Sequence, residues 1–594
     1  MKDTFEKLWV LFTKSDRKKF LLLFFMMIIA AIFETIGIGL VVPFVGIVTN
    51  PSMIKEHSIL LNVYDALNFQ STNAFILFGV GVLLTIFIIK NLYLLLFNNT
   101  QYRVIFNQRV KLSRKMFKEY LTKPYTFHLQ RNSAELIRNV NEEVTKIFTG
   151  ILLSGFQLLT EIIVILFILT LLILTAPLAT FSSGILLGGS ILLFFKIFRK
   201  KITHLGKEDQ RVSREVLKWV KQGLGASKEV KVSGKEDYFV NSYNRESQIL
   251  TNNMIYKSTL DQVPRLFIET LLVSVVLITM IILVFQRIDM ASLVSTMSLF
   301  AMAAFRLMPS ITRIVAMLTS LRYSQPALTV VYNDLIKENE GKKAVFNEST
   351  DESTQVKLNN DEKTFRSSIK LENIYFRYPN QEEFSIKNLS LTIPIGKSVA
   401  FIGTSGAGKT TIVDIILGLL KTQKGRVLVD GRELEGILPI WKNKIGYIPQ
   451  SIFLTDETIR RNVAFGIEDK DIDETALQKA IEDSQLKEFI NTLSEGLDTV
   501  VGERGIRLSG GQRQRIGIAR ALYHNPEIIF LDEATSALDN ETEREIMKAI
   551  DNLKGEKTLI IIAHRLSTIE NCDIVYKLDQ GKLILVDNKL KQKI

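Results

Sequence analysis

Long apolar runs alternate with charged segments over the first half of the chain. Six of these runs approach or exceed the roughly 20 residues that an α-helix needs to cross the hydrocarbon of a bilayer. They predict membrane spans at residues 20–48, 74–98, 147–176, 178–198, 264–286 and 291–319. Only the short stretch "TAPLAT" separates the third run from the fourth, so a tight turn is expected there.

Positive charge distinguishes the two sides of the predicted membrane. The segments after the second and fourth spans are rich in lysine and arginine, whereas the other three connections contain only Lys55 and Arg287. The segments rich in lysine and arginine are therefore predicted to be cytoplasmic, and both termini are predicted to lie on the same side. Their helical periodicity predicts long extensions of the membrane helices, which turn back near Lys123–Leu136 and Lys231–Phe239.

Two shorter amphipathic helices are expected outside the spans. Phe5, Leu8, Trp9, Leu11 and Phe12 follow helical spacing and predict a helix lying along the cytoplasmic membrane surface. The apolar residues between Ile59 and Leu67 predict a similar helix on the external side.

The pattern changes after a polar stretch rich in serine, threonine and asparagine. From Ser368 onward, short apolar strands alternate with helices, as in a soluble α/β protein. We therefore predict a transmembrane domain over residues 1–330, a linker over 331–367 and a nucleotide-binding domain over 368–594.

Composition agrees with this division. Of the 594 residues 47% are hydrophobic, and the net charge is +12. The basic residues flank apolar runs rather than forming a patch with interleaved aromatic residues, so the charge indicates a membrane protein and not a nucleic-acid partner. Cys572 is the only cysteine, which excludes an intrachain disulfide.

The segment "GTSGAGKT", Gly403–Thr410, matches the phosphate-loop pattern G-x-x-x-x-G-K-[ST] between a predicted strand and a predicted helix. Its glycines let main-chain N–H groups point inward around phosphates, and the helix dipole adds positive potential. Lys409 is expected to reach the β- and γ-phosphates of ATP, and Thr410 to bind Mg²⁺. The predicted contacts are Gly403, Thr404, Ser405, Gly406, Ala407, Gly408, Lys409, Thr410 and Thr411.

Two later apolar strands end in residues suited to phosphate hydrolysis. The strand in "EIIFLDEATSALD" ends at Asp532, expected to hold Mg²⁺, and Glu533, expected to polarise the attacking water. The strand in "IIIAHRLS" ends at His564, which we expect, in the company of the other motifs, to contact the γ-phosphate. A third segment, "LSGGQ" at Leu508–Gln512, puts serine and glycines before a helix and forms a second anion-binding helix start.

These motifs, in this order, resemble those of ATP-binding cassette (ABC) proteins. The resemblance implies that Tyr378 stacks on adenine and that Gln450 senses Mg²⁺ and the attacking water. It also implies that the loop at Ser536–Asp539 crosses to a partner. The family signature corresponds to Ser509, Gly510, Gly511 and Gln512.

In that family two cassettes face each other head to tail, and each ATP lies between one phosphate loop and the signature of the other cassette. A chain with one membrane part and one cassette is then a half-transporter. The segment "TVVGERG", Thr499–Gly505, resembles a loop of exporter-type cassettes. The intact motifs favour a homodimer, and a heterodimer remains open. The predicted fold is thus a six-helix α transmembrane domain of ABC exporter type followed by an α/β P-loop cassette.

Arginines inside the predicted spans need an explanation, because a cation within a bilayer costs on the order of 3 kcal/mol or more. Arg265 opens the fifth span, and Arg306 and Arg313 lie nearly on one stripe of the sixth. They could pair structurally, or they could line an inward cavity and attract an anionic headgroup. Their possible counter-ions are Glu34, Glu161 and Glu269.

A narrower resemblance bears on the cargo. Phe33–Phe44, Val263–Leu271 and Phe305–Ile314 are similar to stretches of bacterial flippases of lipid-linked oligosaccharides. This implies a homodimer in the bacterial inner membrane that moves a lipid-linked anionic substrate, a polyprenyl-pyrophosphate glycan, among the membrane lipids. A multidrug, peptide or lipid exporter of the same architecture is the alternative. An ATP-gated channel or a regulator also remains open.

Overall fold

The computed structural model describes residues 2–49, 51–52, 54, 57–175, 177–285, 290–337, 365–532, 544, 550, 552–563, 569 and 572–586. The chain divides into two compact units. The first comprises Met1–Lys123 and Arg131–Asp351, and the second comprises Pro124–Gln130 and Glu352–Ile594.

Long helices build the first unit, with bounds that follow the apolar runs of the sequence. They are α1 (Lys2–Leu11), α2 (Lys14–Thr49), α3 (Ser58–Ala66), α4 (Thr72–Thr122), α5 (Tyr125–Gln130, assigned to the second unit), α6 (Ser133–Arg138), α7 (Val144–Lys146), α8 (Ser154–Thr175), α9 (Pro177–Gly225), α10 (Ser227–Ser233), α11 (Glu236–Phe285) and α12 (Met290–Tyr332). π-Helical turns at Asn139–Glu143, Ile147–Leu153 and Asn333–Lys337 continue these helices. The predicted linker therefore begins inside a helix, and residues 338–364 lie outside the described residues.

Each predicted span falls on a helix. Within the described part of the chain, three segments are long and apolar enough to cross a membrane: Lys14–Gly37, Thr72–Thr122 and Ser133–Thr170. The later three predicted spans lie on α9, α11 and α12, and they remain predictions as membrane spans. Apolar side chains along α4 face outward, with Leu77 72% exposed and Leu92 66% exposed. Such a surface is suited to lipid rather than to water.

The two predicted amphipathic helices are present as α1 and α3. The helix extensions turn where the sequence supplies breaks. α4 ends before Lys123 and Pro124, whose ring disfavours helical backbone in the preceding residue. The second turn starts earlier than predicted, because α9 ends at Gly225 and the short α10 ends at Gly234, whose φ of +60° is left-handed.

Buried polar contacts join the extended parts of the helices. The Lys146 ammonium lies 2.6 Å from a carboxylate oxygen of buried Asp209, and the Tyr120 hydroxyl donates to buried Asp334 at 2.5 Å. A buried carboxylate without a partner would cost several kcal/mol. These pairs therefore fix which faces of the helices meet.

Two glycines allow α12 to lie close to its neighbours. A Cβ atom added at Gly206 in α9 would overlap the main-chain carbonyl of Tyr323. A Cβ atom at Gly150, in the second π-helical turn, would overlap the side chain of Ser324. Tyr323 and Ser324, which are adjacent in α12, are thus in close contact with α9 and with the second π-helical turn at the same height along α12.

Two sheets form the frame of the second unit. Their strands are β1 (Ser368–Phe376), β2 (Ile386–Pro394), β3 (Ser398–Ile402), β4 (Lys424–Val429), β5 (Arg432–Glu433), β6 (Ile445–Ile448), β7 (Ile528–Asp532), β8 (Thr558–Ile562), β9 (Ile574–Asp579) and β10 (Lys582–Val586). The order β2-β1-β4-β5 makes an antiparallel sheet. The order β10-β9-β3-β8-β7-β6 makes a sheet that is parallel except for the edge strand β10.

Helices cover the parallel sheet. They are α13 (Lys409–Ile416), α14 (Leu434–Lys444), α15 (Ile459–Val463), α16 (Glu474–Asp483), α17 (Lys487–Asn491) and α18 (Gly510–Leu522). β7 and β8 are buried along their whole length, as expected for strands covered on both faces. One apolar core, which includes Phe401 and Ile412, lies against α13. A second core, which includes Leu477 and Ile516, lies under the helices α15–α18.

The contact at Gly206 yields a stability prediction. Gly206→Ala should destabilise the first unit by about 1–3 kcal/mol, because overpacking must push α9 away from the α12 backbone. The temperature at which the detergent-solubilised protein aggregates should fall accordingly. Gly225→Ala is the matched control, since a Cβ atom there meets no atom within 4 Å. Equal melting of the two variants would contradict the close packing.

Candidate nucleotide-binding site

The predicted nucleotide-binding segments follow the carboxyl ends of neighbouring parallel strands. β3 leads into the glycine loop, β6 leads to Gln450, and β7 ends at Asp532. Register places Asp532 beside Ile562, the last residue of β8, and Ile448 beside Leu531. The sheet therefore brings these segments together at one edge. Glu533, the Ser536–Asp539 loop and His564 lie outside the described residues.

The glycine loop has the backbone geometry of a phosphate cradle. Gly406 and Gly408 have φ values of +81° and +100°, which side chains with a Cβ atom rarely adopt. The Lys409 ammonium donates to the carbonyl oxygens of Gly403 at 2.9 Å and of Thr404 at 3.1 Å. Lys409 is buried, and its hydrogen bonds fix the ammonium against the glycine loop. A positive charge therefore lies at the place where phosphates would bind.

The helix that follows adds uncapped N–H groups. α13 begins at Lys409, and its N-cap Gly408 offers no side chain to its first-turn amides. An anion can satisfy these groups and gains from the helix dipole. Thr410 in the same turn is exposed, so its hydroxyl is accessible to a ligand.

Tyr378 lies beside this helix. Its hydroxyl is 3.0 Å from the Thr411 hydroxyl, and its ring packs edge-on against Phe376 with centroids 5.0 Å apart. Burial raises the pKa of Tyr378, so the phenol is neutral at physiological pH. The structure thus brings the predicted adenine partner to the phosphate loop.

A second carboxylate, which the sequence did not indicate, lies near Asp532. Burial, and then the charge of Asp532, raise the pKa of Asp414 to about 6. Burial and both carboxylates also raise the pKa of Tyr447. Asp414 lies four residues after Thr410 on α13, hence on the same helix face. That spacing is the only sequence signal that could have identified it.

This chemistry fits a magnesium ion. Mg²⁺ prefers hard oxygen ligands, and carboxylate, hydroxyl and amide oxygens are available from Asp532, Thr410 and Gln450. A cation would also relieve the repulsion between the carboxylates of Asp532 and Asp414.

The signature segment forms a capped helix start. The Ser509 side chain accepts from the Gln512 N–H at 3.2 Å, and the Gln512 side chain accepts from the Ser509 N–H at 2.9 Å. This capping box positions the exposed N-terminus of α18, including Gly510, for an anion. α18 packs into the second core, whereas the phosphate-loop helix packs into the first.

An arginine that the sequence analysis missed connects α18 to the segment after Gln450. The Arg520 guanidinium donates to the Phe453 carbonyl at 2.8 Å and to the Asn462 carbonyl at 2.8 Å. Desolvation lowers the pKa of Arg520. A Cβ atom at Gly517 of the same helix would overlap Ile452. Displacement of the segment after Gln450 must therefore displace α18 as well.

Among the predicted substrate-contacting arginines, the structure describes the side chain of Arg313. Its Nε donates to a carboxylate oxygen of Glu161 on α8 at 2.5 Å. Of the three proposed counter-ions, Glu161 is thus a partner of Arg313. The side chains of Arg265 and Arg306 lie outside the described residues.

Membrane-length helices joined to a P-loop cassette define an ATP-driven membrane transporter. The family profile described as "ABC transporter transmembrane region" matches residues 21–310, and the profile "ABC transporter" matches residues 386–536. The chain belongs to the ABC transporter family. It is an ATP-hydrolysing half-transporter, and the predicted class of fold and enzyme is confirmed.

Individual relatives agree with this assignment. An ATP-dependent lipid A-core flippase of Saccharophagus degradans is 32% identical over 492 residues, which are 81% of this chain and 79% of the relative. ATP-binding cassette sub-family B member 10, mitochondrial, of Mus musculus is 44% identical over 226 residues, 38% of this chain and 32% of that one.

A solved structure of a bacterial Atm1-family ABC exporter with ATP bound shares the fold. Its TM-score is 0.74, with 96% of this chain and 94% of that chain covered. At 23% sequence identity, this likeness concerns the exporter fold alone.

The glycine loop generates a binding prediction. Gly408→Ala should weaken ATP binding by more than about tenfold, because a Cβ atom strains the left-handed backbone and approaches the Ile386 side chain to 2.7 Å. Titration with a fluorescent ATP analogue measures the effect. Gly466→Ala carries the same type of backbone strain (φ of +81°) in open space and should bind ATP normally. Similar affinities for the two variants would contradict the cradle.

Proposed function

We propose that this half-transporter is a lipid flippase of the bacterial inner membrane, with both termini cytoplasmic, that moves a polyprenyl-pyrophosphate-linked saccharide to the outer leaflet. The observation that carries the lipid cargo is the 32% identity, over 81% of this chain, to a protein named as a lipid A-core flippase. The saccharide-linked class rests on the likeness of Phe33–Phe44, Val263–Leu271 and Phe305–Ile314 to the lipid-linked oligosaccharide flippase called PglK.

The active form in this proposal is a homodimer. One chain supplies one glycine cradle and one signature helix start, and the two pack into separate cores. Two copies arranged head to tail complete two equal sites, each with a phosphate loop from one copy and Ser509–Gln512 from the other. A heterodimer would be supported by a partner chain with a degenerate site.

Each nucleotide-site residue has a role in this proposal. Tyr378 stacks on adenine, and the loop from Gly403 to Thr411 surrounds the phosphates with Lys409 as counter-charge. Thr410, Gln450 and Asp532 would hold Mg²⁺, which supplies charge neutralisation at the phosphates when bound. Glu533 orients and polarises the attacking water, and His564 contacts the γ-phosphate.

The arginines of the fifth and sixth spans meet the anionic part of the cargo. Guanidinium groups suit pyrophosphate because they donate paired hydrogen bonds. Arg313 is anchored by Glu161 at 2.5 Å and is 43% exposed in its side chain, so it can be held in place and still face a ligand. We assign Arg265 and Arg306 to the same surface by their places in the sequence.

Transport in proteoliposomes tests the cargo. ATP should drive a fluorescent polyprenyl-pyrophosphate saccharide across the bilayer, and Arg265→Ala or Arg306→Ala should slow this by about tenfold or more, as expected for lost charge-assisted bonds. Arg103→Ala, which removes an exposed arginine of α4, should transport normally. Lys409→Ala should transport nothing.

Different outcomes separate the alternatives. Unchanged transport in the span arginine variants would remove these residues from the mechanism. Hydrolysis stimulated by hydrophobic drugs but not by polyprenyl pyrophosphates would favour a multidrug, peptide or lipid exporter. ATP-dependent ionic currents would favour a channel.

The proposed role of Glu533 gives a separate prediction. Glu533→Gln should bind ATP but hydrolyse it at least about a hundredfold more slowly, because the amide cannot polarise water as a carboxylate does. Crosslinking in ATP should then trap closed dimers. Glu482→Gln, at an exposed carboxylate of α16, should hydrolyse at the wild-type rate. Near-normal turnover in Glu533→Gln would assign the water-polarising role to another group.

A further inference from the structure

A cavity of about 1330 Å³ lies in the first unit beside the N-terminal helix. Residues of α1, the start of α2, the second π-helical turn, α8, α9 and α12 line it. We call it the N-terminal cavity. Its lining is predominantly apolar and includes Phe12, Phe20, Phe24, Ile151, Phe156 and Leu318.

Part of this lining is a fixed aromatic wall, and part faces outward. The rings of Phe12 and Phe20 meet edge-on with centroids 5.0 Å apart, and Phe20 lies 5.9 Å from Phe156. Trp9 is 50% exposed and Leu159 is 44% exposed. Since these side chains belong to helices predicted to lie in or along the bilayer, the cavity opens toward hydrocarbon. Its volume and apolarity suit lipid acyl chains.

Among the described residues, the charged side chains of the same lining are all basic. Six cations line the cavity: Lys14, Arg17, Lys18, Lys196, Lys200 and Arg322. Among the described residues, its lining contains no aspartate or glutamate. Asp16, between two of these cations, is buried on another side of α2, where Gln108 donates to it at 2.7 Å. The described residues therefore give the cavity a positive end without a carboxylate in the lining.

One of these cations, Arg17, also contacts another residue of the cavity lining, Trp9. The Arg17 guanidinium lies 4.1 Å above the Trp9 ring and donates to the Trp9 carbonyl at 2.5 Å. This contact ties α1 to α2 and shapes the basic end. Lys14 and Lys18 precede the first predicted span, and Lys196 and Lys200 flank the end of the fourth. Both groups thus lie at the predicted cytoplasmic interface, at headgroup depth.

We propose that the N-terminal cavity binds an anionic phospholipid of the cytoplasmic leaflet, with its acyl chains along the aromatic wall and its phosphate among the six cations. The charge of the lining selects an anionic headgroup over a zwitterionic one. Such a lipid would fasten α1 to the helix bundle. The proposal concerns a resident lipid and does not depend on which cargo is transported.

Trp9 supplies a direct probe. The protein is reconstituted in phosphatidylcholine vesicles that contain either phosphatidylglycerol or phosphatidylcholine brominated in its acyl chains. The Trp9 signal is the difference between wild type and Trp9→Phe, which removes the contributions of Trp219 and Trp441. Brominated phosphatidylglycerol should quench this signal at a mole fraction severalfold lower than brominated phosphatidylcholine.

Paired variants distinguish a site from general attraction to a charged surface. Lys18→Gln should lower the preference for phosphatidylglycerol by roughly fivefold, the effect of about one cation near a headgroup. Lys19→Gln removes a neighbouring exposed lysine that does not line the cavity, and should leave the preference unchanged.

A third variant fills the cavity. A Cβ atom at Gly155, which lines the cavity, meets no atom within 4 Å, so the side chain of Gly155→Phe starts in open space and can extend into the acyl-chain volume. It should reduce quenching by phosphatidylglycerol while ATP hydrolysis shows that the protein is folded. Equal quenching by the two lipids, equal effects of Lys18→Gln and Lys19→Gln, or unchanged quenching in Gly155→Phe would each overturn the proposal.

Discussion

The parallel register of β3, β8, β7 and β6 is the constraint on which the nucleotide site depends. Parallel strands end at the same edge of a sheet, so the loops that follow them meet whatever their distance in sequence. The glycine loop and Asp532 are well over one hundred residues apart along the chain, yet Phe401 pairs with Ile562, and Ile562 pairs with Asp532. β7 and β8 are buried on both faces, so a slip would draw polar residues from the strand ends into apolar surroundings, which disfavours other registers.

The second core packs the helices α15–α18 against the parallel sheet. α18 carries the signature helix start, and Arg520 and Gly517 bind it to the segment after Gln450. That segment follows β6 at the nucleotide edge. A change at Gln450 therefore reaches α18 through a hydrogen-bonded guanidinium and a glycine contact without intervening space. These contacts join the segment after Gln450 to the helix that begins after Ser509.

Periodicity and spacing predict much of this architecture. Apolar runs predict the long helices, because hydrocarbon forces the backbone to satisfy its own hydrogen bonds. Glycine spacing predicts the loop from Gly403 to Thr410, because only that geometry turns amides inward. Other features arise between elements and leave little trace in one sequence. Asp414 comes close to Asp532 only after the sheet forms. Which glutamate pairs with Arg313 depends on how the helices are rotated about their axes.

The grip on Tyr323 and Ser324 has a consequence for movement in the first unit. At Gly206 the backbone of α9 lies directly against the Tyr323 carbonyl, and at Gly150 the Ser324 side chain lies directly against the backbone of the π-helical turn. A lengthwise shift of α12 past α9 or past the π-helical turn at Gly150 would break both close contacts, whereas a pivot at their level would keep them. In such a pivot, a small displacement at one end of α12 would become an opposite displacement at the other end.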